Sequence, residues 1–136
     1  MAIDITGPWH NQHHSILHLV QTGDTLGGRF VPGVGIHKGE AFPLTGRISG
    51  DQIAFFVPFG AEGSISAWTG HVRRDASGGD QLDTLWNMTV RVGAKEPDGA
   101  WRGIWSGADT FARGEPALVR VGSQLPSVPI MLFQDV

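Results

Sequence analysis

Side chains alternate faces along an extended chain, and the stretch Ser64-Ile65-Ser66-Ala67-Trp68-Thr69-Gly70 is patterned for that geometry. Ser64, Ser66 and Trp68 fall on one face, Ile65 and Ala67 on the other. The same alternation puts Thr84, Trp86 and Met88 on one face, and groups Trp105, Gly107, Asp109 and Phe111 on another. Glycine, proline and acidic residues cut the chain into segments of about 6 to 12 residues. These predict strands over Gly7–Gln12, Ser15–Gln21, Thr25–Val31, Ala41–Ser49, Gln52–Phe59, Ser64–Arg73, Gln81–Val92 and Trp101–Ala112. Hairpin-length turns such as Gly23-Asp24, Gly50-Asp51 and Gly78-Gly79 join them. No segment sustains the apolar period of a helix. Strands at this spacing fit either a sandwich or an up-and-down barrel, and the pattern alone leaves both open. Eight strands close into a barrel just wide enough for one small ligand.

Composition narrows the function classes. The 136 residues make one domain with enough chain for a sizeable core. The 20 glycines and 8 prolines favour turns and short strands over helices. A net charge of -3 from scattered acidic and basic residues offers no footprint for nucleic acid or a membrane surface. The chain has no cysteine, which excludes a disulfide framework, a thiolate nucleophile and a zinc–thiolate site. No apolar run approaches the roughly 18 residues of a membrane span. Met1-Ala2-Ile3-Asp4 lacks the basic and apolar regions of a signal peptide, so the chain reads either as cytosolic or as a mature form with an added Met. Asn87-Met88-Thr89 matches a glycosylation sequon but lies within a strand pattern and reads as chance.

Two hydroxyls and an indole in a row, Ser64, Ser66 and Trp68, supply the apolar wall and small polar groups that a ligand pocket needs. The plainer reading is a strand with a polar outer face and one core Trp. Asp109 on an apolar strand face requires a hydrogen-bond partner, from a neighbouring Asn, a Trp N–H or a ligand N–H. The walls of Trp and Phe exceed what a core needs and favour the pocket. His10, His13, His14 and His18 cluster in sequence, but without thiols or a carboxylate pattern they are not read as a metal site. His13 near Asn11 and Asp109 invites acid–base chemistry, yet no nucleophile elbow or Ser-His-Asp order accompanies it, so the chain is read as a non-enzyme. Gly33-Val34-Gly35 is too short for a phosphate loop.

Taken together, Trp9-His10-Asn11-Gln12-His13-His14-Ser15, Gly35, Pro43-Leu44-Thr45-Gly46-Arg47, Ser64 to Gly70, Thr84-Leu85-Trp86-Asn87-Met88, Trp101 and Asp109-Thr110-Phe111 resemble the avidin–streptavidin family of biotin-binding proteins. The matches follow the family's order over residues 7 to 113. The resemblance implies an all-β fold, an eight-stranded antiparallel up-and-down barrel, with non-covalent biotin binding at one end and no cofactor; streptavidin is itself a standard example of such a barrel. It implies that Asn11 and Ser15 donate to the ureido oxygen of biotin and that Asp109 accepts from a ureido nitrogen. Ser66 would sit near the thioether sulfur and Ser64 near the carboxylate. Phe59, Trp68 and Trp86 would form the walls, with Met88 lining the pocket. Val34, Gly35, Ile36 and His37 would belong to the lid. Trp101 matches the Trp that family members lend to a neighbouring subunit, implying a homo-oligomer, dimer or tetramer. Sequestration of biotin, and a secreted or periplasmic location, follow from the same resemblance to bacterial relatives.

The chain also departs from the family. Phe30 stands where the family has a Tyr that donates to the ureido oxygen, and Pro32 replaces a hydroxyl or amide. His13 occupies an apolar pocket position, and His14 one that is commonly Gly. Two lost hydrogen bonds weaken binding by roughly two to four decades, which leaves a binding site but not the tightest one. Phe30 and Pro32 also support an alternative, a barrel of this shape for another small ligand. The resemblance ends at Arg113, so residues 1–113 read as the barrel and 114–136 as a C-terminal extension. Its apolar run Ile130–Phe133 calls for a cover, either its own barrel, a subunit interface or a neighbour's pocket mouth. In the last case the tail makes larger assemblies and the chain doubles as an assembly module.

Overall fold

The computed structural model describes residues 3–60, 63–74, 79–91 and 103–116. Eight strands run β1 (Gly7–His10), β2 (Ile16–Thr22), β3 (Thr25–Val31), β4 (Phe42–Ser49), β5 (Gln52–Pro58), β6 (Ile65–Arg73), β7 (Gln81–Thr89) and β8 (Ile104–Arg113). Each pairs antiparallel with the next, and β8 returns to β1, so the sheet is a closed barrel and not a sandwich. Alternation governs which side chains go in. On β7, Leu82, Thr84, Trp86 and Met88 are buried while Leu85, Asn87 and Thr89 are exposed.

Two hairpins at one end, β2–β3 and β4–β5, are as tight as their sequences require; the expected turn at Gly78-Gly79 lies partly outside the described residues. Ser49 pairs with Gln52 across Gly50-Asp51, and Gly50 has a φ of 61°. A first turn residue with positive φ fits the two-residue hairpin turn whose twist matches the strands, and glycine adopts it without a Cβ penalty. The connections at the other end, β1–β2, β3–β4 and β5–β6, are longer and carry most of the candidate site. Toward the tight-hairpin end the interior is filled by Leu19, Leu26, Ile48, Ile53, Val72 and Leu82, each no more than 5% exposed.

Several strands are shorter than their patterns predict. β1 stops at His10 because Asn11 turns the chain: its Oδ1 accepts from the backbone N–H of His13 (2.9 Å) and of Ser15 (2.9 Å). β7 ends at Thr89 instead of Val92, and β8 begins at Ile104 instead of Trp101. The seam between β1 and β8 is short, with backbone register only at Trp9–Arg113 and His10–Ala112. Side chains reinforce it. The Arg113 guanidinium lies 4.4 Å from the Trp9 ring centre and donates to the carbonyls of Thr6 (3.2 Å) and Asp4 (2.6 Å).

Candidate ligand-binding site

The five buried polar side chains among the described residues are Asn11, Ser15, Ser66, Thr84 and Asp109. Burying such groups costs free energy unless they find partners, so their bonds define the site. Asp109, 2% exposed on β8, is the centre. Its Oδ2 accepts from Trp68 Nε1 at 2.9 Å across the barrel, and its Oδ1 accepts from Gln12 Nε2 at 3.0 Å. Its backbone carbonyl accepts from Thr84 Oγ1 at 2.8 Å. Of the partners the sequence leaves open for Asp109, an Asn, a Trp N–H or a ligand N–H, the structure supplies a Trp N–H, that of Trp68.

Gln12 does more than touch the carboxylate. Its Nε2 also donates to the Ala108 carbonyl (3.2 Å), and its Oε1 accepts from the Thr110 N–H (3.3 Å). The side-chain amide thus bonds the backbone on both sides of Asp109, as a strand residue would. It extends the β1–β8 seam where the β1 backbone has turned away. Alternation predicts an outward Gln12, and the side chain is indeed exposed; only its amide hooks back, which no pattern reveals.

Asn11 and Ser15 sit on the β1–β2 turn beside Gln12. Because Asn11 Oδ1 is committed to two turn amides, the planar side chain directs its nitrogen the other way. Ser15 Oγ accepts from the Gly33 N–H at 2.9 Å, tying this turn to the β3–β4 loop. His14 takes a φ of 63°, which explains why glycine is at home at that position. His13 is half-buried. Burial lowers its pKa from the ordinary histidine value; the Asp109 carboxylate opposes this and His14 adds to it.

Aromatic rings run from the mouth to the floor. The His37 ring stacks near Phe59 (6.1 Å) and meets Phe42 edge-on (5.3 Å). Phe42 contacts Phe59 at 4.8 Å, Phe59 lies 6.2 Å from Phe30, and Phe30 lies 5.2 Å from Trp68. Phe55 stacks beneath Trp68 at 5.0 Å. Phe30, Phe59, Trp68 and Trp86 are each no more than 2% exposed, and Met88 4%. The lid loop is stitched by Gly39 N–H to Pro32 O (3.0 Å) and by His37 Nδ1 with Glu40 Oε2 (2.9 Å). Val34 and Gly35 are half-buried, whereas Ile36 is 77% exposed and points away from the cluster. Ser64 is half-buried at the rim, where its carbonyl accepts from the Phe59 N–H at 2.9 Å. Trp101 and the tail from residue 117 lie outside the described residues.

The Trp86 indole lies against Gly107 of β8, where a Cβ would come within 2.5 Å of Cζ2. Ser66 Oγ and Trp86 Nε1 are buried without a hydrogen-bond partner among the described residues. Sequence reasoning missed Gln12 and Phe42, and placed Thr84 on the inner face without its bond to the Asp109 carbonyl. Phe42 was recoverable, since Phe42, Leu44 and Ile48 share a face of β4. A separate concave surface of about 800 Å³ lies on the outside of the barrel along Ala54, Thr69, Leu85 and Ala108, and none of Asn11, Ser15, Ser66, Trp68 or Asp109 lines it. No group of three or more potential metal ligands comes together among the described residues.

This arrangement is a closed-off polar row against aromatic walls, with one buried carboxylate held by N–H donors. Comparison with known proteins places it. The model of the Avidin family matches residues 1–114. The crystal structure of xenavidin is similar at 25% identity and a TM-score of 0.72, over 84% of this chain and 100% of that one. The rhizavidin–biotin complex is similar at 25% identity and a TM-score of 0.69, over 85% of this chain and 100% of that one. A biotin complex of a shwanavidin variant shares the fold at 24% identity and a TM-score of 0.67, over 83% of this chain and 100% of that one. No curated protein matches significantly.

Proposed function

This chain belongs to the avidin family, and from that premise we propose that it binds biotin non-covalently in the loop end of its barrel, catalysing nothing. The observation that carries the reading is the Asp109 carboxylate, buried and oriented by Trp68 and Gln12. A ureido group needs an acceptor for its N–H and donors for its oxygen. Asp109 supplies the first, and Asn11 and Ser15, from the turn that carries Gln12, supply the second. The charge on Asp109 polarises the ureido group and strengthens the bonds on its far side. Trp68, Trp86 and Phe59 pack on the ring system, Ser66 lies by the sulfur, and Ser64 with His37 flanks the carboxylate end. Because Ser15, Phe30, Ser66 and Trp68 are sealed from water, entry requires the β3–β4 loop and Phe59 to give way.

Affinity falls short of a site with a full set of ureido donors, because Phe30 brings no hydroxyl and Pro32 no side-chain donor or acceptor. Sequestration of biotin by a homo-oligomer is the role that suits such a site. The same two residues favour the second reading, another small cyclic ligand in the same barrel. Calorimetric titration with d-biotin separates the two. The expected result is saturable one-site binding, weakened about 10- to 150-fold by Asp109→Ala through loss of a charge-assisted bond. Absence of heat and of thermal stabilisation by biotin overturns the reading.

A further inference from the structure

The β1–β2 turn and the β3–β4 loop are each closed by their own hydrogen bonds, and they meet backbone to backbone. Within the turn, the Asn11 N–H donates to Ser15 O and the His14 N–H to Asn11 O, each at 3.1 Å. Within the loop, Pro32 is buried, and its carbonyl accepts from the Gly39 N–H at 3.0 Å. Gly33 joins the two: its N–H donates to Ser15 Oγ at 2.9 Å. A Cβ on Gly33 would lie 2.3 Å from the His13 carbonyl oxygen, and 2.5 Å and 2.6 Å from the carbonyl carbon and oxygen of His14. All three are backbone atoms of the turn, and none can swing aside. Gly33 has no positive φ, so glycine stands there for close approach and not for its conformation.

Resting on the biotin reading, we propose that Gly33 is a positioning residue: its amide aims the Ser15 hydroxyl at the ureido oxygen and makes that aim conditional on a closed β3–β4 loop. Ser15 Oγ accepts from Gly33, so the hydroxyl proton is directed to another acceptor. A hydroxyl that accepts a hydrogen bond also donates a stronger one. Pro32, with a fixed φ and no N–H, stiffens the step into Gly33. When the loop lifts to release the ligand, Gly33 leaves with it, and Ser15 loses the bond that orients it. By linkage, a ligand held by Ser15 holds the loop closed with the same free energy.

The test is a double-mutant cycle on the full chain, with d-biotin affinity from calorimetry and dissociation from radiolabelled biotin chased with unlabelled biotin. Gly33→Ala should weaken binding about 2- to 12-fold, chiefly through faster dissociation, and Ser15→Ala by a similar or larger factor. The double variant is expected within about 2-fold of Ser15→Ala, since the glycine acts through the hydroxyl. Losses that multiply instead, as those of a glycine needed only for packing would, overturn the inference and leave the biotin reading standing. Amide exchange at Gly33 gives a second readout that leaves the glycine in place: biotin should slow it in the parent and slow it less in Ser15→Ala. Equal protection in the two proteins overturns the inference as well. A parent chain that does not bind biotin overturns the biotin reading and this inference with it.

Discussion

Gly107→Ala is the substitution that most directly tests how the wall of the site is seated. The added methyl would lie 2.5 Å from Trp86 Cζ2, 2.8 Å from Cε2 and 3.0 Å from Nε1. All three are ring atoms of a rigid side chain that is 1% exposed, so no flexible end absorbs the clash. Gly107 has no positive φ, and alanine fits its backbone; by restricting the unfolded chain, the substitution gains about 0.4–1 kcal/mol. Overpacking costs about 1–3 kcal/mol and outweighs that gain. The net destabilisation is about 1–2 kcal/mol, or a fall of roughly 3–10 °C in melting temperature for a chain of this size. Thermal unfolding followed by tryptophan fluorescence and near-ultraviolet circular dichroism measures both the loss and the displacement of the indole. Ser106→Ala, on the outer face of the same strand, is the control and should stay within about 0.5 kcal/mol. A Gly107→Ala protein that melts at or above the parent temperature, with unchanged tryptophan signals, refutes the idea that Trp86 rests on the β8 backbone.

Three further outcomes follow from the site. Gln12→Ala removes the bonds to Ala108, Asp109 and Thr110, and should weaken biotin binding about 2- to 12-fold in a calorimetric titration; an unchanged affinity would show that Gln12 is not needed to orient the carboxylate. Phe30→Tyr places a hydroxyl at a fully buried position, so biotin affinity should rise by about 2- to 12-fold while the ligand-free protein melts lower; a fall in affinity means the hydroxyl misses the ureido oxygen. His13 has a lowered pKa in the folded state, so the unfolded chain takes up its proton first. Stability therefore declines as pH falls through about 6.5 and levels off below the folded value. A melting-temperature profile between about pH 7.5 and 5 should be flatter in His13→Gln, and parallel profiles would argue against a buried imidazole.

How much of this is legible in the sequence depends on distance along the chain. Alternation is local, so Ser66 with Trp68, and Thr84 with Trp86 and Met88, can be assigned to shared faces from the sequence and are buried as a set. The same logic leaves a sandwich and a barrel indistinguishable, because closure rests on Trp9 meeting Arg113, residues about a hundred positions apart. The extent of β1 escapes the pattern because a side chain, Asn11 Oδ1, competes with the ladder for backbone donors. Ile36 belongs to the lid by its place in the loop, but its side chain stands in solvent, since loops lack the periodicity that assigns faces. Gln12 is invisible for a related reason: a long exposed side chain reaches a neighbour that alternation places on the opposite side.

The seam between β1 and β8 carries a thermodynamic consequence. With two register pairs and a glutamine standing in for a third, it is the joint whose separation breaks the fewest backbone bonds. Asp109 stands on one side of that joint, and Asn11 and Ser15 follow the strand on the other. The cheapest fluctuation of the barrel, the lifting of its first stave, is therefore the one that takes the recognition groups apart. Any ligand gripping both sides acts as a hoop: it raises the cost of that breathing motion by its own binding free energy, and amide exchange in β1 becomes a direct gauge of occupancy.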